Sequence, residues 1–449
     1  MRWNLKYAIR SYIRGSMWLV PFFAVVLYMV FHRITYAIGV WLVQTGRFDE
    51  TTAFFGLSMA GARSMLETVV TLNLSFLVFT FGSLLVAIQV AGGQYTPRII
   101  ATTLLRDNVI RFTVGCFVFT LVFALRVLTR MDETADQFNT FIAVMLGWFS
   151  LMVFLYLIDY AARFLRPVSI VAEVGQSGVA VIQSVYPEPT SRPSPVEPAR
   201  SLGSPARIVV NAGTPGVVLA VDLAGLVKQA RQANGVVEFV PQVGDFLAVD
   251  EPLYRLYGGA STIDDHALRE AVVLGIERTM EQDPTFAFRI LVDIAIKALS
   301  AAINDPTTAV MAIDQLHRLL RLVGLRDLRG EELRDDAGQL RLIFSTPNWE
   351  DYVHLVCTEI RHCGAGSIQI PRRMRSMLEN LMQTLPPHRH AELRQQIELL
   401  ERTIDGHYEF PEDRALARIP DPQGLGGSLG VERVSEVPAA EAGKRNNVP

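Results

Sequence analysis

A chain of 449 residues, half of them hydrophobic and with a mean hydropathy of +0.26, exceeds one ordinary domain and is too apolar for a wholly soluble protein. A net charge of −3 leaves no basic excess to neutralise phosphates, which excludes a nucleic-acid partner. Cys116, Cys357 and Cys363 are too few for a disulfide framework and suit a reducing compartment.

The apolar residues crowd the first third. The run Met17 to Val43 follows a basic N-terminus, but it is too long for a secretory signal and no small-residue cleavage site follows. It is expected to be an uncleaved span, interrupted by His32 and Arg33. Further spans are expected at 64–90 (with Glu67 its one formal charge), 112–128 (with Arg126 near its end) and 141–158. Each reaches or approaches the ~20 apolar residues that cross ~30 Å of hydrocarbon. Residues 1–166 are therefore predicted to be a four-helix transmembrane bundle in a mainly α integral membrane protein. Arg2, Lys6, Arg10 and Arg14 precede span 1. Arg98, Arg106 and Arg111 lie between spans 2 and 3, and Arg163 and Arg166 follow span 4. The loop between spans 3 and 4 is acidic, with Asp132, Glu133 and Asp136. The positive-inside pattern places both termini in the cytoplasm.

Residues 167–206 are expected to be a connector with a Pro-rich loop, 207–260 a small β-rich, barrel-like module, and 261–416 a cytoplasmic helical domain. Together they make an α+β region; 417–449 is a Pro/Gly-rich tail expected to be disordered. Within the β module a helical insert is predicted from Leu223 to Gln232. The run Val243-Gly-Asp-Phe-Leu-Ala-Val-Asp-Glu-Pro-Leu resembles the turn of biotinyl and lipoyl carrier barrels. No attachment Met-Lys or Asp-Lys stands here, since Lys228 sits in the insert, so no cofactor is expected. Two helix starts, Asp283-Pro-Thr-Phe-Ala and Asp305-Pro-Thr-Thr-Ala, put Asp at an N-cap and Pro at the first helical position. The first helix is apolar enough to be mistaken for another span. Arg289, Asp293 and Lys297 make a charged stripe at i, i+4 and i+8, expected to face outward on a soluble helix. Later helices are expected over 349–362, 372–383 and 388–406.

Two stretches resemble a known family. Gln89-Val-Ala-Gly-Gly-Gln-Tyr-Thr-Pro-Arg-Ile, followed by Arg106-Asp, is similar to one hallmark of the domain-of-unknown-function 2254 family of bacterial membrane proteins. Leu291-Val-Asp-Ile-Ala-Ile-Lys-Ala-Leu-Ser with Ile303-Asn-Asp-Pro-Thr-Thr-Ala and Ile313-Asp-Gln-Leu resembles the second. Ala301 stands where the family often has Pro, and Arg126 where an aromatic residue is common. The resemblance runs from about residue 5 to 405; it implies this architecture and the bacterial inner (plasma) membrane, and it implies no reaction.

Span 2 carries the most chemistry. At 100° per residue, Ser64, Glu67, Thr71, Ser75, Gly82, Gln89 and Gly93 fall within an arc of roughly 80°. A polar stripe along a span must face protein or water. It is either the wall of a solute path or a helix–helix seam. Gln94 and Arg98, with Thr96, sit just beyond it; they suit a gate or anion contact, or an interfacial anchor. In the cytoplasmic domain Arg289, Asp293, Asn304 and Asp305 are candidates for a ligand or partner contact, with helix capping sufficient for Asp305. The spacings of His354, Cys357, His362 and Cys363, and of His388 with His390, do not make a metal set. With no nucleophile triad, phosphate loop or HExxH, no enzymatic activity is expected. The sequence favours a homo-oligomeric channel or transport-like protein with its path along span 2, open to an ion or small ligand. The alternative is a non-conducting scaffold or sensor whose cytoplasmic domain binds a partner or small ligand.

Overall fold

A computed structural model describes residues 3–45, 59–98, 107–131, 137–164, 166–190, 202–328 and 332–427. The chain divides into two compact units, Met1–Ile170 and Val171–Pro449.

The first unit is helical. An amphipathic helix α1 (Trp3–Gly15) precedes α2 (Leu19–Gln44), α3 (Met59–Gln94), α4 (Asn108–Arg130) and α5 (Gln137–Phe164). α4 packs against α2, α3 and α5. Two buried clusters hold them, one around Leu66, Val69, Phe123 and Ala143, the other around Phe76, Val114, Phe117 and Leu157. In the second, Phe76 stacks on Phe154 with ring centroids 4.1 Å apart. Asp107 caps α4 by accepting from Ile110 N at 3.0 Å.

By length and composition, five helices among the described residues suit a membrane span: Leu19–Leu42, Ala60–Gly93, Asn108–Arg130, Phe138–Arg163 and Pro167–Val185. The fifth, α6, lies inside the stretch expected to be a connector, and the boundary between the two units falls within it. The protein is thus a multi-pass membrane protein, mainly helical, with a C-terminal α+β region.

The second unit begins with a five-stranded sheet in the order β1-β5-β3-β8-β7 and a three-stranded sheet β4-β2-β6. The strands are β1 (Arg207–Val210), β2 (Gly216–Val221), β3 (Gly235–Phe239), β4 (Phe246–Leu247), β5 (Pro252–Gly258), β6 (Val272–Gly275), β7 (Glu332–Arg334) and β8 (Leu340–Phe344). The helical insert forms as α7 (Leu223–Gln232), burying Leu226 and Ala230 against the sheet core. The expected module boundary at 260 cuts through both sheets. β6, β7 and β8 come from the stretch expected to be helical, and β8 pairs in parallel with β3, Val237 opposite Leu342. Such pairing joins segments a hundred residues apart, which local pattern does not encode.

Beyond a short helix α8 (Asp265–Glu270), the helical part is built from α9 (Pro284–Ala298), α10 (Pro306–Gly324), α11 (Trp349–Gly364), α12 (Gln369–Thr384), α13 (His390–His407) and α14 (Pro411–Ala417). α9 packs against α10 and α11 and buries Phe286, Phe288, Leu291, Val292 and Ile294. Both Asp-Pro-Thr starts are capped: Asp283 Oδ1 accepts from Phe286 N at 3.1 Å and Asp305 Oδ1 from Thr308 N at 3.1 Å. The charged stripe of α9 is only partly exposed, with Arg289, Asp293 and Lys297 of intermediate burial. Arg289 and Asp293 are mostly buried, and Arg289 reaches across to Glu359 on α11, because a carboxylate there completes a bidentate ion pair. The expected disorder from 417 does not hold for residues 418–427. The fully buried Arg372 donates through Nε to the carbonyl of Ile419 (3.0 Å) and through Nη1 to that of Gly426 (2.5 Å), so its charge needs this segment. Residues 428–449, and 191–201 of the Pro-rich loop, lie outside the described residues.

Asp305→Ala removes the cap of α10 and is expected to lower stability by about 1 kcal/mol, read by denaturation of the detergent-purified protein. An unchanged midpoint contradicts the cap's role.

Candidate functional site

α3 has two faces of different character. The polar stripe Ser64, Glu67, Thr71, Ser75, Gly82, Gln89 and Gly93 is exposed at every position. A Cβ built on Gly82 or Gly93 meets no atom within 4 Å. The hydroxyls of Thr71 and Ser75 turn back onto their own helix, donating to the carbonyls of Glu67 and Thr71 at 2.8 Å. Glu67 Oε1 accepts from Arg63 Nε at 3.2 Å, so its charge is balanced one turn away. Between the polar ends of the stripe, Val78 and Leu85 flank Gly82 and are 68% and 64% exposed.

The opposite face is the seam within the chain. Leu66, Val69, Asn73, Phe76, Thr80, Leu84, Ala87 and Ala91 are buried there. Polar groups on it are handled locally, with Asn73 Nδ2 donating to the Val69 carbonyl (2.9 Å) and the Thr80 hydroxyl to that of Phe76 (2.7 Å). Asn73 Oδ1 has no partner. The small residues that let helices approach lie on α4 and α5 instead. Val69 Cγ2 comes within 2.6 Å of where a Gly147 Cβ would stand, and Val20 Cγ1 within 2.8 Å for Gly115. A buried hydrogen bond from Ser150 to Thr120 (3.0 Å) ties α5 to α4. The stripe is therefore not a seam inside one chain.

At the far end of α3, Tyr95 and Thr96 are buried and Thr96 Oγ1 accepts from Arg98 N at 3.4 Å. Arg98 and Gln89 are exposed, and the side chain of Gln94 lies outside the described residues. Sequence reasoning missed how the start of α4 is fastened. Tyr160 OH donates to Asp107 Oδ2, and Arg111 Nη2 donates to the carbonyl of Ile13 at 2.7 Å, fixing the C-terminus of α1. The one available signal was Asp107 standing directly before an apolar run, an N-cap position.

The candidates in the C-terminal unit separate into two structural devices. Arg289 and Asp293 form an ion pair with an Nε–Oδ1 distance of 2.7 Å, extended to Glu359. Asn304 takes a left-handed conformation (φ 48°) at the α9–α10 turn, which Asn tolerates, and Asp305 caps the helix that follows. Cys357 is fully buried, and burial pushes its thiol up to about 12. Among the described residues no group of three or more His, Cys, Asp or Glu is arranged to hold a metal.

The two faces of α3 predict opposite tolerances. Gly147→Leu drives a side chain into Val69 and is expected to cost at least ~1–3 kcal/mol and to lower the yield of folded protomer, whereas Gly82→Leu leaves protomer folding intact. Size-exclusion profiles and melting curves of both variants test this; equal damage from the two would remove the distinction between faces.

The comparisons with known proteins agree with this architecture. The chain is 25% identical over 427 residues to an uncharacterized protein of Mycobacterium bovis, and to one of Mycobacterium tuberculosis, covering 92% of this chain and 81% of each relative. No solved structure matches it. The sequence profile described as "Predicted membrane protein (DUF2254)" matches residues 14–380, and the chain belongs to that family.

Proposed function

We propose that the protein is an oligomeric channel or transport-like protein of the bacterial inner membrane, its path lined by the outward face of α3 and its C-terminal unit acting from the cytoplasm. The observation that carries this is the uncovered polar stripe. Lipid offers no hydrogen bonds, and a stripe of hydroxyl, amide and carboxylate groups turned to it is costly, so water or a second copy must cover it. Several copies around an axis, each presenting α3 inward, hydrate the stripe; cyclic symmetry closes that arrangement most simply. Val78 and Leu85 then form the apolar waist between wetter ends, a place where a path closes by dewetting. The Arg63–Glu67 pair weakens any cation selectivity at the outer mouth, and Arg98 favours anions at the inner one. No reaction is assigned.

In this reading α2 to α5 are the four spans and α6 belongs to the cytoplasmic unit. Lys6, Arg10, Arg98, Arg111, Arg163 and Arg166 then share the cytoplasmic side. A second reading has a specific observation behind it. Thr71 and Ser75 satisfy their own donors, and Gly82 and Gly93 leave open grooves, which also suits dry packing of α3 against α3 in a non-conducting scaffold.

Reconstituted in liposomes, the wild-type oligomer is expected to pass ions, and Thr71→Leu or Ser75→Leu to reduce that flux severalfold with assembly intact. Absence of wild-type flux, together with loss of the oligomer in both variants, would replace the channel by the scaffold. A single cysteine at Gly203 is expected to react with an impermeant maleimide only after the cells are permeabilised; labelling of intact cells overturns the orientation.

A further inference from the structure

Three strips run along α1. Trp3, Asn4, Tyr7 and Ser11 recur at helical spacing and are partly covered, Trp3 stacking on Tyr7 with ring centroids 5.7 Å apart. Leu5, Ile9, Tyr12 and Ile13 form an apolar strip on the other side, and all four are exposed. Lys6 and Arg10, one turn apart, stand beside that strip; both are exposed, and no ion pair engages them among the described residues. α1 holds no Asp or Glu, and the first carboxylate of the chain is Asp49.

Two bonds fix the level at which this helix lies. Only Ser16, Met17 and Trp18 separate it from α2, a span, and across that link Trp18 Nε1 donates to Tyr12 OH at 3.1 Å. Arg111, in the first turn of α4, donates to the Ile13 carbonyl at 2.7 Å, so the last turn of α1 stands where a second span begins. Thirteen residues rise about 20 Å, too little to cross ~30 Å of hydrocarbon. A helix held at the border of two spans, apolar along one side and basic beside it, matches the boundary between acyl chains and headgroups. Its unbalanced positive charge selects the headgroups that carry negative charge.

We propose that α1 is an interfacial helix that binds anionic lipids, the side chains of Leu5, Ile9 and Ile13 entering the acyl region and Lys6 and Arg10 holding the phosphate headgroups. The inference is independent of whether α3 lines a path, since it concerns α1 and the membrane alone.

The test uses the full chain in nanodiscs, with Cys116→Ala and Cys363→Ser removing the two thiols that are not buried. An NBD fluorophore is attached at Ile9→Cys on the apolar strip, at Asn4→Cys on the covered side, or at Met152→Cys on an exposed flank of α5. Lipids carrying a nitroxide on the acyl chain near the headgroup are expected to quench the Ile9→Cys probe more than the Asn4→Cys probe. At equal mole fraction, nitroxide phosphatidylglycerol is expected to quench the Ile9→Cys probe about threefold more than nitroxide phosphatidylcholine, and the Met152→Cys probe equally with either. Lys6→Gln with Arg10→Gln should bring the headgroup ratio at the Ile9→Cys probe to one. Quenching of the Ile9→Cys probe no stronger than that of Asn4→Cys puts the apolar strip against protein, a second copy included, and overturns the interfacial helix. A headgroup ratio of one before the charges are removed, or one that survives their removal in a folded variant, overturns the anionic lipid. Should the double variant fail to fold, the comparison of probes and the headgroup ratio decide alone.

Discussion

The structure turns on what hydrocarbon cannot do, which is to hydrogen-bond. Every polar group on a spanning helix must find its partner in the same helix, in another helix or in water. α3 meets this in two ways on its two sides. Toward α4 and α5, Asn73 and Thr80 bond back to their own backbone and are sealed beneath Phe76, Leu66 and Val69. Away from them, Thr71 and Ser75 bond back in the same manner but remain uncovered. The back-bond satisfies the hydroxyl donor within the helix and leaves its acceptor lone pairs uncovered.

That division depends on where the close contacts fall. Gly115 and Gly147 bring α2 and α5 near their neighbours, and Val20 and Val69 occupy the space a side chain would need. Gly82 and Gly93 are free of such contact. Small residues permit close approach wherever they stand; the partner decides whether it occurs. The rest of the first unit serves the same arrangement. The Ser150–Thr120 bond and the Asp107–Tyr160 bond hold α4 and α5 in register, and Arg111 anchors α1 by its last turn.

Much of this was legible in the residues. The 3.6-residue period gathered the stripe from Ser64 to Gly93 onto one arc, and the cap chemistry of Asp283 and Asp305 located two helices to the residue. What stayed hidden depended on partners distant in sequence. Asn73 and Thr80 are of the same kind as Thr71 and Ser75, so composition does not say which face is covered. Arg289 looked like a solvated charge until Glu359, seventy residues on, came to meet it. β7 and β8 have the length and alternation of strands, yet only the pairing of β8 with β3, and of β7 with β8, makes them part of the sheet. Arg372 needed residues 418–427, a Pro/Gly-rich stretch whose composition argues for disorder, and a buried guanidinium outweighs that composition by the cost of leaving it unpaired.

α6 poses the same problem in its sharpest form. Nineteen residues of mean hydropathy 1.3 satisfy the arithmetic of a span, but so does any helix buried on most sides of a soluble domain. Its own contacts favour the second account. Leu319 Cδ1 lies 2.8 Å from where a Gly178 Cβ would be, Gly175 is pressed by Gln315, Gln176 Oε1 accepts from Arg318 Nη2 at 3.0 Å, and Tyr186 shares a buried hydrogen bond of 3.1 Å with Tyr352. Every one of these partners belongs to α10 or α11, so removing α6 into lipid would open the helical core and strand the Tyr352 hydroxyl. The charge pattern adds an independent constraint. Arg163 and Arg166 sit at the end of α5, and a fifth crossing would put the residues that follow α6 on the side opposite the basic N-terminus. The contacts of α6 thus tie it to α10 and α11, while the membrane criterion it meets is one of length and composition.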